Sequence, residues 1–262
     1  VERDAEEHEG HARSVSPAQA PLGLVLDDVA AHPGSLVVFD LDDTLFSTND
    51  RHLRILKEYA DLVQSREPEA AALLRAIERE NLRYQIVETV RDAGLKDAAL
   101  VNDLRDFWFA RFFQNRYLLE DTPVPGAPDY CAQVAARGGT IVYVTGRDER
   151  MREGTESAFA RRGFPAPDGR GVRLVLKPRF DTPDIAFKTE VLGRLKEMGR
   201  VAASFENEPL HINLFREAFP EGRHFLLETK HSGRPAILHP DVLRIPDFLL
   251  TRAEPRRDDS SR

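Results

Sequence analysis

The stretch LVVFDLDDTLF, Leu36 to Phe46, runs four β-favouring residues straight into three aspartates, Asp40, Asp42 and Asp43. Leu, Val, Val and Phe in succession read as a strand buried on both faces, since no polar residue marks a solvent side. The acids that follow pose a physical problem. Like charges this close repel, and burying them is costly unless something compensates. Either they point to water in an ordinary turn, or they surround a cation and take part in chemistry. The calcium-loop version fails on spacing. With Asp40 as the first position, Leu45 occupies the place that needs Gly and Arg51 the place that needs Glu.

Further β-rich runs follow: TIVYVT (140–145), VRLVL (172–176), VAASF (201–205) and HFLLE (224–228). They alternate with helical stretches near 148–162, 186–199 and 210–218. Apolar strands alternating with helices predict an α/β fold, a Rossmann-like parallel sheet covered on both faces. In such sheets ligands bind at the carboxyl ends of the strands. Polar groups fall at those ends in sequence: Asp40 and Asp42, then Thr145 with Gly146 and Arg147, then Glu206, Asn207 and Glu208. Lys188 begins the helix before the strand at 201–205, and Lys177 ends the strand at 172–176. Each has an ordinary structural explanation by itself. Their order along successive sheet edges is the stronger signal.

Residues 47–120 break the rhythm and carry no strand pattern. Leu53, Leu56, Ala60 and Val63 share one helical face. A second helix is predicted from Pro68 to Gly94, and a third from an Asp97 cap, with Leu100, Leu104, Phe107, Trp108 and Phe112 on one side. The chain therefore divides into an α/β core (21–46 and 121–250), an all-helical insertion (47–120), and polar ends at 1–20 and 251–262 read as mobile. PLGLVLDDVAAHPGS reads as a short helix closed by Pro33-Gly34. The run FWFARFFQNRY (107–117) is the most aromatic of the chain. It reads either as the core of the helical block, or as a surface that turns Trp108 or Tyr117 toward the site with Arg111 or Arg116.

The 262 residues carry 37 basic and 44 acidic side chains, a net charge of -7. That argues against a mainly electrostatic nucleic-acid binder. One cysteine, Cys131, allows no internal disulfide and no multi-cysteine zinc site. The eight histidines lack zinc-site spacing and read as surface or structural residues. No apolar run approaches the roughly 20 residues of a membrane helix. A cytoplasmic protein without membrane or nucleic-acid partners is expected.

In this pattern the chain resembles the haloacid dehalogenase (HAD) superfamily of phosphohydrolases. DLDDT is similar to its first motif, VTGR to its second, Lys188 matches its third, and ENE (206–208) stands where the acidic fourth is expected. The insertion looks like the family's C1-type helical cap. The resemblance implies a Mg²⁺-dependent phosphatase acting on a small phosphorylated substrate. Asp40 would be nucleophile and metal ligand. Asp42 would ligate through its carbonyl and act as general acid–base, with a raised pKa. Thr145 and Lys188 would be catalytic and, with Gly146 and Arg147, would bind the phosphoryl group. Glu206 would complete the metal site, with Glu208 and Asn207 as alternatives, and Lys177 as the rival to Lys188. Glu in place of the family's commoner Asp leaves open whether it reaches the metal directly or through water. The acid at position 42 favours phosphate esters over carbon–chlorine bonds, because alkoxides need a proton to leave and chloride does not. A phosphotransferase or mutase, and a non-catalytic phosphate-binding regulator, are the competing expectations.

Overall fold

The computed structural model describes residues 20–250, so the expectations for 1–19 and 251–262 lie outside the described residues. Helix α1 (Ala20–Ala31) comes first and buries Leu22, Val25, Leu26 and Val29 at helical spacing. Pro33 and Gly34, the latter at φ +86°, turn the chain into β1 (Leu36–Phe39). After the acidic loop come β2 (Phe46–Ser47) and five helices: α2 (Asn49–Val63), α3 (Pro68–Arg75), α4 (Ile86–Asp92), α5 (Ala98–Phe112) and α6 (Asn115–Leu118). Strand β3 (Thr122–Pro123) returns the chain to α7 (Ala127–Ala136), β4 (Thr140–Asp148), α8 (Arg152–Arg162) and β5 (Val172–Lys177). The last elements are α9 (Asp184–Met198), β6 (Val201–Glu206), α10 (Pro209–Ala218), β7 (Arg223–Leu227) and β8 (Leu243–Ile245).

Six strands form one parallel sheet in the order β5-β4-β1-β6-β7-β8. The acidic strand β1 is central and wholly buried. Side chains alternate across it. Val37 and Phe39 face a core shared with α1, α7 and α8, while Leu36 and Val38 face one shared with α9 and α10. Phe39, Phe205 and Phe225 stack across three neighbouring strands, with centroids 4.8 and 4.7 Å apart. Each such pair adds about 1 kcal/mol beyond its burial. The register then decides what meets at the sheet edge. Phe39 lies beside Tyr143 on one side and Phe205 on the other, so Asp40, Thr145 and Glu206 emerge close together.

The helical block has its own apolar core, including Leu56, Tyr59, Val63, Leu74, Val90 and Leu104. The predicted helix over Pro68–Gly94 is two helices separated by a short 3₁₀ turn. Glu78 is extended, and its exchange of side-chain and backbone hydrogen bonds with Asn81 starts a new turn instead of continuing the helix. Asp97 caps α5 as expected, accepting from the Leu100 N–H at 2.8 Å. Two features have no counterpart in the sequence reading. Strands β2 and β3 pair antiparallel at the two ends of the block, Phe46 with Pro123 and Ser47 with Thr122. Strand β8 extends the sheet beyond β7 with only three residues. Among the described residues no helix is long and apolar enough to cross a membrane.

Candidate active site

Asp40 follows the last residue of β1 and is 8% exposed. Its N–H donates to the Phe205 carbonyl at 3.0 Å, which locks the loop to β6. Lys188, one turn into α9, donates to Asp40 Oδ1 at 2.9 Å and also to Glu206 Oε1. Thr44 donates to the other oxygen, Asp40 Oδ2, at 3.1 Å. Burial, and then the neighbouring Glu206, push the Asp40 carboxyl up to about 7 against the pull of Lys188. Burial likewise raises Glu206. For Lys188 burial works against the charge, but Asp40 and Glu206 outweigh it and keep the ammonium protonated.

Lys177 hydrogen-bonds Asp184 at 2.8 Å instead, so of the two lysines it is Lys188 that reaches the acids. Glu208 turns to the loop after β7, where it accepts from Ser232 N at 2.6 Å and Ser232 Oγ at 2.8 Å. Asn207 donates to the Lys230 carbonyl at 2.6 Å.

Asp42 has a different environment from the one the resemblance implied. Arg147 binds its carboxylate through Nη2 at 2.6 Å and Nε at 3.2 Å, and Arg51 reaches the same Oδ1 at 2.9 Å. Burial opposes ionisation here, but Arg147 and then Arg51 overcome it and hold the carboxyl well below the usual range. The expected upward shift is therefore reversed: two guanidinium groups outweigh the cost of burial. Both arginines also bind Asp121, Arg51 through Nε at 2.7 Å and Arg147 through Nη2 at 2.8 Å. Asp121 and Arg51 are fully buried, and together with Arg147 and Asp42 they join the acidic loop, α2, the end of α6 and β4. Sequence reasoning missed Arg51 and Asp121. The available signal was that Arg51 lies on the same helical face as Ile55 and Tyr59, an apolar face where a charge needs a buried partner.

Gly146 and Arg147 sit where the pairing of β4 with β5 slips between Thr145 and Asp148. Such a bulge re-aims side chains, and here both residues line the cavity. Thr145 is buried, and its Oγ1 accepts the Arg147 N–H at 3.2 Å. Asp43 is the one non-glycine residue with positive φ among the described residues, at +56°. Its carboxylate accepts from Thr48 N at 3.1 Å and Thr48 Oγ1 at 3.0 Å, fastening the acidic loop to the start of α2. Burial pushes its pKa up to about 6.

A cavity of about 350 Å³ opens over these groups, lined by Asp40, Asp42, Thr145, Arg147 and Lys188 from the core and by Trp108, Phe112 and Tyr84 from the helical block. Two histidines also line it, His52 and His211, against the expectation of purely surface or structural roles. His211 Nδ1 is buried, with no hydrogen-bond partner among the described residues, 3.8 Å from Glu206 Oε1. Tyr117 does not face the site. It is buried and donates to Glu58 at 2.6 Å, with Arg116 over its ring, while Arg111 stacks on Phe107.

Among the described residues no three of His, Cys, Asp and Glu converge into a closed metal site. The donors at the sheet edge nevertheless suit a hard cation. Asp40 and Glu206 offer carboxylate oxygens, and burial raises both against the pull of the one ammonium they share. A small divalent ion that keeps several waters needs only one or two carboxylates.

Among curated proteins none matches the chain. Solved structures resemble it at low identity. A class C acid phosphatase from Bacillus anthracis with tungstate bound is 14% identical, with a TM-score of 0.43 over 76% of this chain and 66% of that one. CbbY from Rhodobacter sphaeroides in complex with phosphate is 17% identical, with a TM-score of 0.46 over 82% and 94%. A haloacid dehalogenase-like family hydrolase from Xanthomonas campestris is 15% identical, with a TM-score of 0.42 over 82% and 88%. At these scores the likenesses carry no weight for function. The sequence model of the haloacid dehalogenase-like hydrolases matches residues 35–202, a span that takes in Asp40, Asp42, Thr145 and Lys188 and stops short of Glu206. With most of its length accounted for in this way, the chain belongs to the haloacid dehalogenase-like hydrolase family.

Proposed function

We propose that the chain is a Mg²⁺-dependent phosphatase that hydrolyses small phosphate monoesters through an aspartyl-phosphate on Asp40, with the helical block acting as a cap over the site. The observation that carries this reading is the setting of Asp40. Its two carboxylate oxygens are held separately by Lys188 and Thr44, in a cavity with room for a small ester. A nucleophile fixed at both oxygens loses little freedom on reaching the transition state.

A phosphate monoester is anionic and repels an attacking carboxylate. Mg²⁺, held by Asp40, the Asp42 carbonyl and Glu206, would neutralise charge at the phosphoryl group when bound. Lys188 spends one N–H on Asp40 and one on Glu206, leaving the third for a phosphoryl oxygen. Thr145 accepts a hydrogen bond at Oγ1, so its own hydroxyl proton is free for another. In the first step an Asp40 oxygen bonds to phosphorus while the ester P–O bond breaks. The electron pair leaves on the alkoxide oxygen, which takes a proton from Asp42. In the second step water attacks phosphorus, Asp42 takes a water proton, and the P–O bond to Asp40 breaks to release inorganic phosphate. An Asp42 held ionised by Arg147 and Arg51 suits the second step. The first requires it to hold a proton and so to give up its arginines. Arg51 belongs to α2, which ties the seating of the cap to the readiness of the acid.

Release of p-nitrophenol from p-nitrophenyl phosphate, with and without Mg²⁺, tests the reading on the wild type and Asp40→Asn. Metal-dependent turnover that the substitution abolishes is expected. Undiminished turnover by Asp40→Asn would remove Asp40 as nucleophile.

A further inference from the structure

The cavity is acidic and cationic around Asp40 but aromatic elsewhere, and its aromatic part is ordered in a particular way. The indole of Trp108 and the imidazole of His52 lie parallel, 10° apart in plane with centroids at 5.5 Å. Phe112 backs both rings, its centroid 4.5 Å from that of Trp108 and 4.8 Å from that of His52. Phe113 meets Phe180, from the loop after β5, edge to face at 4.9 Å, so cap and core both supply rings to the wall. Phe180 and Tyr84 remain 37% and 48% exposed, a large apolar surface to leave open in a site that also holds charged groups.

The tautomer of His52 follows from its neighbour. An indole N–H is only a donor, and Trp108 Nε1 lies 3.1 Å from His52 Nδ1. Nδ1 must therefore accept, and the neutral ring carries its proton on Nε2. Burial, with Lys230 and Arg51 nearby, holds the imidazole well below its usual pKa and so in this neutral form. Among the described residues Nε2 has no hydrogen-bond partner, although His52 is 4% exposed and lines the cavity. A fixed N–H donor beside a flat stacked surface is an arrangement that a planar ring bearing an acceptor satisfies on both counts.

We propose that this site takes phosphate monoesters whose leaving alcohol carries a heteroaromatic ring, the ring packing against Trp108 and a ring heteroatom accepting the Nε2 proton of His52. The proposal rests on the phosphate-ester reading above. A cavity of about 350 Å³ fits one small ring system with its phosphate, not a polymer or a folded protein segment.

Trp108 is the single tryptophan of the chain, so its emission reports on the wall directly. Full-length Asp40→Asn protein with Mg²⁺ is titrated with 3-pyridylmethyl, benzyl and cyclohexylmethyl phosphate, three esters of primary alcohols that differ in the ring. The two aromatic esters are expected to quench Trp108 and the alicyclic one to leave it unchanged. Stacking and the N–H contact should each tighten binding about tenfold, so affinity falls from pyridylmethyl to benzyl to cyclohexylmethyl. Adding His52→Phe, which keeps a ring in the stack, should erase the first step and preserve the second. Equal affinities for the three esters, or binding of none, overturn the proposal even if the wild type hydrolyses p-nitrophenyl phosphate. Ordered binding as expected, from a protein whose wild type releases no phosphate from any ester, would refute the phosphatase reading and leave the recognition of the ring standing.

Discussion

The ammonium of Lys188 lies 2.9 Å from Oδ1 of Asp40, although 148 positions of sequence separate the two residues. The contact exists because β1 and β6 are neighbours and α9 leads into β6, which swings its first turn over the sheet edge. Lys188 is also the nearest compensation for Glu206, so its removal leaves two buried acids without a cation. Lys188→Met is expected to lower kcat on p-nitrophenyl phosphate by about 10²–10³-fold, the scale of losing a charged donor at a developing anion. Turnover within a few-fold of wild type would place Lys188 outside the chemistry.

The Arg51–Asp121 pair is fully buried, so it costs more to break than it contributes when intact. Arg51→Met should destabilise the protein by about 3 kcal/mol in urea unfolding, because Arg147 alone is then left to serve both Asp42 and Asp121. Arg51→Met combined with Asp121→Leu should be markedly less damaging than the sum of the single changes, since the double variant buries no lone acid and Arg147 keeps Asp42. Simple additivity would contradict the coupling.

A third expectation concerns His224, on β7 and away from the acids. It is 1% exposed, with Nε2 2.9 Å from the Phe219 carbonyl and Nδ1 2.7 Å from Ser204 Oγ. Nε2 therefore donates and the Ser204 hydroxyl donates to Nδ1, which describes a neutral ring. Burial lowers its pKa to about 4. The folded state thus binds fewer protons than the unfolded one between pH 6.5 and 4. This contribution to stability is complete above about pH 6.5 and is lost as the pH falls toward 4, by about 3 kcal/mol in total. His224→Gln should flatten the unfolding free energy over that window. An unchanged slope would assign the acid sensitivity to other groups.

Gly154, in α8, meets the helical block with no room to spare. A Cβ there would stand 2.6 Å from Asn115 Cα and 2.7 Å from the Asn115 carbonyl oxygen. Backbone atoms cannot rotate aside, so Gly154→Ala should cost about 1–3 kcal/mol of stability despite the better helix propensity of alanine. A neutral or raised melting temperature would show that α6 can shift.

How far the molecule was legible in sequence depended on the range of the interaction. β1 could be read because four apolar residues in a row specify a strand buried on both faces, and Asp97 because a cap is local. The gathering of Asp40, Thr145, Lys188 and Glu206 was legible only through the order of strands, which a parallel sheet converts into one edge. The clamp on Asp42 was not. Arg51 and Arg147 come from opposite sides of the helical block, and nothing in either segment says that both turn inward to the same carboxylate. The break between α3 and α4 was hidden for a related reason. Pro68 and Gly94 mark the ends of a helical region, but the Glu78–Asn81 exchange that interrupts it depends on backbone conformation and leaves no gap in the apolar pattern.

The short ribbon of β2 and β3 has a consequence for how such a molecule can change. The chain leaves the core at Phe46–Ser47 and re-enters at Thr122–Pro123, and these residues are paired side by side. Everything between begins and ends at one doorway. A segment of any length and shape can hang from that doorway without stretching the sheet or moving Asp40, because the span it must bridge is a single strand spacing. On the reading proposed above, a graft that swaps residues 48–121 for another helical segment would exchange what the site admits and keep Asp40, Lys188 and Glu206 in the core, while taking Arg51 and Asp121 away from Asp42.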